Sequence, residues 1–116
     1  MTSNLKEWLA LNGYSQDNLN SVGKYGNSAI MKASREANLS IVDELISLNV
    51  DLNVKNIDGN SALWNACFGD SYACFEALVS AGINIDSQNV NNVTSLMYCA
   101  SAGKDIFVEL LIKHKA

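Results

Sequence analysis

The side chains with the most reactive chemistry in this sequence are three cysteines and one histidine. Cys99 with His114 is the one pairing that could supply a nucleophile and a base. Both residues fall in predicted helices, Cys99 on an apolar stripe and His114 at a helix end, where the helix dipole favours a basic side chain in any case. These positions favour a structural role for both, and we expect no catalytic residues.

The spacing of Cys67, Cys74 and Cys99 does not match a metal site. No Cys-x-x-Cys pair is present, and a turn is predicted between Cys67 and Cys74. All three cysteines fall at positions that hold small or medium side chains facing the core. We interpret them as packed, reduced thiols in a reducing compartment, and we expect no metal and no cofactor.

Other catalytic constellations are also missing. Asp43 and Glu44 are neighbours on a predicted helix, where adjacent side chains diverge by about 100° rather than sharing a face. The segment Gly23-Lys24-Tyr25-Gly26 has the wrong spacing for a phosphate-binding loop. We therefore expect a protein that is not an enzyme.

The composition excludes two classes of partner. The chain of 116 residues has a net charge of −4 and only eight basic residues, with Lys24, Lys32 and Arg35 as the one loose basic group. Nucleic-acid binding requires more clustered positive charge than this. No apolar run approaches the roughly 18 residues of a membrane span, and the N-terminus lacks a basic segment followed by an apolar one. We expect a cytoplasmic protein without nucleic-acid or membrane partners.

Three related stretches recur along the chain at intervals of 33 residues. They are Gly26-Asn27-Ser28-Ala29-Ile30-Met31-Lys32-Ala33, Gly59-Asn60-Ser61-Ala62-Leu63-Trp64-Asn65-Ala66 and Asn92-Val93-Thr94-Ser95-Leu96-Met97-Tyr98-Cys99. A fixed period of about 33 residues is typical of a solenoid in which each unit stacks on the next.

The repeated unit resembles the ankyrin repeat. The likeness rests on Asn56-x-x-Gly59-x-Ser61-Ala62-Leu63, on the aliphatic pair Leu78-Val79 and on the closing segment Gly82-Ile83-Asn84-Ile85-Asp86. The chain departs from the family where a proline and a histidine are usual. Ala29, Ala62 and Ser95 replace the proline, and Met31, Trp64 and Met97 replace the histidine. We expect apolar packing there, with Trp64 inside the stack.

The resemblance implies an all-α solenoid of stacked antiparallel helix pairs with β-turn fingers. We expect one domain, residues 1–116, with a capping segment at 1–22, repeats at 23–55 and 56–88, and a truncated repeat at 89–116. Apolar spacing predicts helices near 5–11, 29–36 and 40–48. In the last helix the same spacing predicts a buried stripe of Phe107, Val108, Leu111 and Ile112. Hydroxyl side chains before the three first helices should cap them, each worth about 1 kcal/mol; they are Ser28, Ser61 and Thr94.

The resemblance also implies a protein-binding role on a concave face formed by finger tips and first helices. The residues that match this face are Lys24, Tyr25, Asn27, Arg35, Ile57, Asp58, Asn60, Phe68, Val90, Asn91 and Val93. Apolar β-branched side chains at Ile57, Val90 and Val93 stand where polar turn residues are usual, and the aromatic rings of Tyr25 and Phe68 are typical of interfaces. The alternative is that these side chains pack on their neighbours and stiffen the fingers.

The last helix suggests a competing function. Ile106 and Leu110 stand where the earlier repeats have Ser40 and Glu44, or Ala73 and Ala77. A terminal repeat needs a polar outer face, so we expect self-association or partner contact through this apolar end. The chain would then be a small structural or inhibitory subunit. A small-molecule-binding or enzymatic role ranks third.

Overall fold

A computed structural model describes residues 1–116 as an all-α chain without a sheet. Its one isolated bridge joins Val22 to Ser28, and a short 3-10 turn covers Lys24–Gly26. Seven α-helices follow the predicted order: α1 Ser3–Leu11, α2 Ala29–Arg35, α3 Leu39–Ser47, α4 Ala62–Phe68, α5 Tyr72–Ser80, α6 Ser95–Ser101 and α7 Asp105–Lys113. The predicted fold class is confirmed. None of these helices combines the length and apolar composition that crossing a membrane requires.

The helices form pairs that stack into a short solenoid. Within the repeats α2 packs on α3, α4 on α5 and α6 on α7, while α2–α4, α3–α5 and α4–α6 contacts join one repeat to the next. The stack measures 37 × 25 × 20 Å. Each pair buries an apolar stripe that a lone helix hairpin would expose, so the repeats stabilise one another.

The N-terminal segment covers the first repeat. Leu5 and Leu9 of α1 are fully buried in the common core. The rings of Trp8 and Tyr14 stack at 6.0 Å, and the Tyr14 hydroxyl donates to the Asn27 carbonyl at 3.1 Å. At the N-terminal end of α1, the Thr2 backbone N–H donates to Glu44 Oε2 at 2.7 Å. The segment is therefore held to the first repeat by apolar packing and by hydrogen bonds.

The predicted caps of the first helices are only partly correct. Thr94 Oγ1 accepts from the Met97 backbone N–H at 3.2 Å, as expected. The hydroxyls of Ser28 and Ser61 make no capping bond; both are enclosed and lack a hydrogen-bond partner. The two serines are 2% exposed, whereas Thr94 is only half-buried. Among the three first helices, the hydroxyl that remains in contact with solvent forms the cap, and the two enclosed hydroxyls do not.

The fingers, which are the turns 20–26, 53–59 and 86–92, are joined by backbone hydrogen bonds. The Ile57 N–H donates to the Tyr25 carbonyl, and the Val90 N–H donates to the Asp58 carbonyl, both at 3.0 Å. Gly59 has φ +77°, and a Cβ there would lie 2.7 Å from the Val90 nitrogen. A glycine at this position therefore lets the second and third fingers approach each other closely.

A second set of equivalent contacts joins the closing segments of the repeats. Asn20 Oδ1 accepts from the Asp51 N–H at 2.7 Å, and Asn53 Oδ1 accepts from the Asn84 N–H at 2.9 Å. The two donors, Asp51 and Asn84, are 33 residues apart, and so are the two acceptors, Asn20 and Asn53. The segment that contains Asn20 thus makes the same contact as a full repeat.

Candidate partner-binding face

The structure places most of the predicted binding residues at the surface. Tyr25, Ile57 and Val90 are 59%, 64% and 64% exposed. The other exposed members are Lys24, Arg35, Asp58 and Asn91, while Asn27, Phe68 and Val93 are half-buried. Because the finger hydrogen bonds fix the register, Tyr25, Ile57 and Val90 lie on successive finger tips, and we name these three residues the finger row.

The prediction that Asn60 belongs to the exposed face is wrong. Its side chain is 7% exposed, and its Oδ1 is enclosed without a partner. The third finger closes on the second immediately beside it, at Gly59. The sequence indicated a polar turn residue but not the neighbouring finger that covers it. Asn27 is also partly used inside the stack, because its Oδ1 accepts from Asn56 Nδ2 at 2.9 Å.

The first helices of the three repeats, α2, α4 and α6, are called the inner helices. Aromatic side chains connect α4 to α6. Trp64 is 3% exposed, which confirms its predicted internal position. Its ring lies 5.4 Å from that of Tyr98 and 6.1 Å from that of Phe68, and Phe68 and Tyr98 meet edge to face at 4.9 Å. Arg35 lies over the Phe68 ring at 5.1 Å. Tyr98, which our prediction omitted, therefore adjoins the predicted face at Phe68 and Arg35.

A cleft of about 490 Å³ opens beside the first finger. Its walls combine the chain after α1 with the inner helices, and they include Tyr14, Lys24, Tyr25, Lys32, Arg35 and Asn65. Burial, and secondarily the charge of Glu36, raises the pKa of the Tyr14 phenol, so Tyr14 stays neutral and acts as a hydrogen-bond donor. We name this opening the cationic cleft, after Lys24, Lys32 and Arg35. Lys32 was absent from the predicted site, although the sequence placed it in the same basic group.

The cysteines and the histidine have separate partners. All three cysteines are buried and free of disulfides. Cys67 lies on α4 and Cys99 on α6. Interaction between the two thiols, and after it burial, raises the pKa of Cys67, while the same interaction lowers that of Cys99. His114 Nε2 instead lies 3.5 Å from Glu76 Oε1. The structure gives Cys99 and His114 no shared site.

A second exposed surface lies at the C-terminal end of the stack. Trp64 packs on Tyr98 and Phe75 on Phe107, so these two positions of the second repeat face the third. The equivalent side chains of the third repeat are Met97, which is 54% exposed, and Val108, which is half-buried. We name this surface the C-terminal flank; its apolar members are Leu96, Met97, Ala100, Val108 and Ile112.

This geometry corrects the sequence-based description of the last helix. Ile112 was assigned to the buried stripe but is 60% exposed, because no repeat covers the flank on which it lies. Ile106 is 51% exposed, as expected. The equivalent residues Ser40 and Ala73 are exposed too. This position therefore lies on the solvent-facing side of the second helix in all three repeats, which we call the outer face, and not on the C-terminal flank. Leu110 is half-buried against the core.

Comparison with known proteins adds one finding. A family model described as ankyrin repeats (3 copies) matches residues 2–89. The match begins within the N-terminal segment, the same segment in which Asn20 makes the repeat-like contact. No curated protein matches the chain.

Proposed function

The chain belongs to the ankyrin repeat family, and from that premise we propose that it is a non-enzymatic adaptor or regulator that binds a partner protein through the finger row and the adjoining inner helices. Ankyrin repeats are generally protein–protein interaction modules. The proposed partner is a folded protein or an extended segment of one. We also propose a cytoplasmic location, supported by three enclosed cysteines without disulfides.

The exposure of the finger row is the observation that carries this proposal. If Ile57 and Val90 only stiffened the fingers, their side chains would pack on their neighbours and be largely enclosed. Instead each is 64% exposed. Leaving apolar side chains in water on three successive finger tips brings the fold no burial energy, whereas a partner that covers them gains it.

The test is a capture experiment with a matched control. Wild type, a Tyr25→Ala/Ile57→Ala/Val90→Ala variant and an Ile106→Ala variant serve as baits for native cell lysate, with bound proteins identified by mass spectrometry. Ile106 is a suitable control because it is apolar and 51% exposed but lies on the outer face. We expect a partner that wild type and Ile106→Ala retain and the triple variant loses.

Titration calorimetry with that partner then measures the individual residues. A true hot spot should weaken binding by about 2 kcal/mol when changed to alanine, while circular dichroism stays unchanged. Binding within about 0.5 kcal/mol of wild type for all three single variants would remove the finger row from the interface.

A second candidate function, self-association or subunit contact through the C-terminal flank, is supported by the exposure of Met97 and Ile112. Met97 stands at a position where Met31 and Trp64 are buried in the earlier repeats, and Ile112 stands where Ile46 and Val79 are half-buried. Sedimentation velocity at rising concentration should show a dimer that Met97→Ser/Ile112→Ser weakens and Ile106→Ser does not. A monomer at every concentration removes self-association, and a flank variant that leaves the dimer unchanged places the contact elsewhere.

A further inference from the structure

Positive charge is concentrated in one opening of an otherwise acidic protein. Lys24, Lys32 and Arg35 all line the cationic cleft. They are three of the eight basic residues in a chain whose net charge is −4. The residues that line the cleft include no aspartate or glutamate; Glu36, which pairs with Lys32 and raises the pKa of Tyr14, is an acidic residue beside it.

The three cations are only weakly engaged within the chain. Lys32 pairs with Glu36 at 3.5 Å, but both side chains are more than 40% exposed. A solvent-exposed pair of this kind contributes little to stability and is readily exchanged. Arg35 stacks on the Phe68 ring, which leaves the edge of its guanidinium free to donate to a carboxylate. Lys24 lies over the Tyr25 ring at 5.0 Å and forms no ion pair.

Three neutral side chains of the cleft already donate hydrogen bonds within the chain. The Tyr14 hydroxyl donates to the Asn27 carbonyl, Asn65 Nδ2 donates to the Ser61 carbonyl at 3.0 Å, and Asn12 Nδ2 donates to the Trp8 carbonyl at 2.8 Å. These bonds fix the walls. Lys24, Lys32 and Arg35 are the charged donors of the cleft, and a ligand with anionic oxygens is the one that they fit.

Tyr25 connects the cationic cleft to the finger row, because it lines the cleft and is also the first member of the row. We infer that the cationic cleft binds an acidic peptide segment of the partner protein, whose carboxylates meet Lys24, Lys32 and Arg35 while apolar residues next to them cover Ile57 and Val90. This inference rests on the proposed function and specifies the partner's chemistry. A nucleic acid fits less well, since its phosphate track would extend beyond three cations on a negatively charged protein.

The experiment selects peptide ligands directly, so the partner itself does not have to be identified first. A display library of random 12-residue peptides is selected on the wild-type chain, on Lys24→Gln/Lys32→Gln/Arg35→Gln and on the matched variant Lys6→Gln/Lys113→Gln/Lys115→Gln. The matched variant loses the same charge from other exposed positions. Circular dichroism confirms that all three proteins are folded.

We expect peptides from the wild type and the matched variant to be enriched in Asp and Glu beside apolar residues. The cleft variant should lose the acidic enrichment, and a wild-type-selected peptide should bind it about tenfold or more weakly. Equal loss in both charge variants would overturn the inference, because the effect would then come from net charge. A 12-nucleotide single strand that binds more tightly than any selected peptide, and depends on the same three residues, would also overturn it.

The outcomes separate the two proposals. Selected peptides that are apolar without acidic residues, and that Ile57→Ala weakens, would retain the finger row and refute the acidic segment. Acidic peptides that bind equally well to the Tyr25→Ala/Ile57→Ala/Val90→Ala variant would retain the cleft and refute the finger row. A selection that yields no binder to the wild-type chain would count against both.

Discussion

The two ends of the stack contain the same residue in opposite surroundings. Met31 in the first repeat and Met97 in the third occupy equivalent positions, 66 residues apart, yet Met31 is 1% exposed and Met97 is 54% exposed. Met31 is covered by a following repeat, and at the N-terminal end α1 buries Leu5 and Leu9 while turning Lys6 and Glu7 to solvent. Burial in this fold is therefore a property of the neighbouring unit rather than of the residue.

Replacing each of these two methionines by alanine should give the largest difference in stability between the two positions. Met31→Ala should lower the free energy of unfolding by about 2–5 kcal/mol, because it removes enclosed methylene groups and leaves a cavity. Met97→Ala should stay within about 0.5 kcal/mol, as exposed positions do. Urea denaturation of both variants measures the difference; equal losses would mean that something covers Met97 in solution.

The second largest effect should come from the close approach of α2 and α4. A Cβ at Gly69 would lie 2.1 Å from the Arg35 carbonyl oxygen, so Gly69→Ala should force the helices apart and cost about 1–3 kcal/mol. The equivalent residue of the third repeat, Ala102, is exposed and already bears a Cβ. Ala102→Gly should cost no more than about 1 kcal/mol. Thermal unfolding of both variants tests this, and an unaffected Gly69→Ala would show that the repeats can separate freely.

Thiol labelling should distinguish the interfaces by their local stability. Cys67 and Cys99 lie on α4 and α6, which pack together between the second and third repeats, whereas Cys74 lies on α5, which packs on α3 of the first repeat. A terminal repeat has a neighbour on one side only and opens more often. In variants that retain a single cysteine, Cys67 and Cys99 should label about tenfold faster than Cys74, a difference of about 1.4 kcal/mol. All three should react rapidly and equally in denaturant. Slower labelling of Cys99 than of Cys74 would mean that the stack opens first at its N-terminal end.

The smallest effect concerns the contact between Thr2 and Glu44, which joins the N-terminal segment to the first repeat. Hydrogen bonds from the Thr2 hydroxyl and backbone N–H lower the pKa of Glu44 below its usual value of 4.5. A carboxyl whose pKa is lower in the folded state stabilises that state above its unfolded pKa, and the contribution is lost as pH falls through the lowered value. Glu44→Gln should therefore flatten the loss of stability below about pH 4.5. Urea titrations across pH 3–6 measure it, with Glu109→Gln as control; identical profiles for the two variants would assign no role to the Thr2 contact.

The sequence was sufficient for the architecture because a period of 33 residues recurs in both the turns and the apolar stripes. The buried residues Ile41, Val42 and Leu45 of α3 illustrate this, since helical spacing alone places them on one face. The N-terminal segment could also be assigned, because Leu19-Asn20 precedes Leu52-Asn53 by one period.

Relations between repeats were harder to predict. Asn60 looked like an exposed turn residue, and Ile112 looked like a core residue. Their burial depends on whether a neighbouring repeat lies against them, and helical spacing describes one helix at a time. The hydroxyls of Ser28 and Ser61 were misjudged for the same reason. The cationic cleft combines residues from positions 11 to 65, a juxtaposition that a local pattern does not reveal.

The paired contacts between successive repeats have a consequence for how such a chain can grow. The Ile57 to Tyr25 and Val90 to Asp58 bonds share one offset in the sequence, and so do the Asp51 to Asn20 and Asn84 to Asn53 bonds. A tandem duplication of residues 56–88 would therefore present matching donors and acceptors at the one new interface, which lies between the two copies. Lengthening the protein by one unit in a single genetic event would keep these hydrogen bonds between all neighbouring repeats. Each added unit would extend the row of finger tips by one more isoleucine.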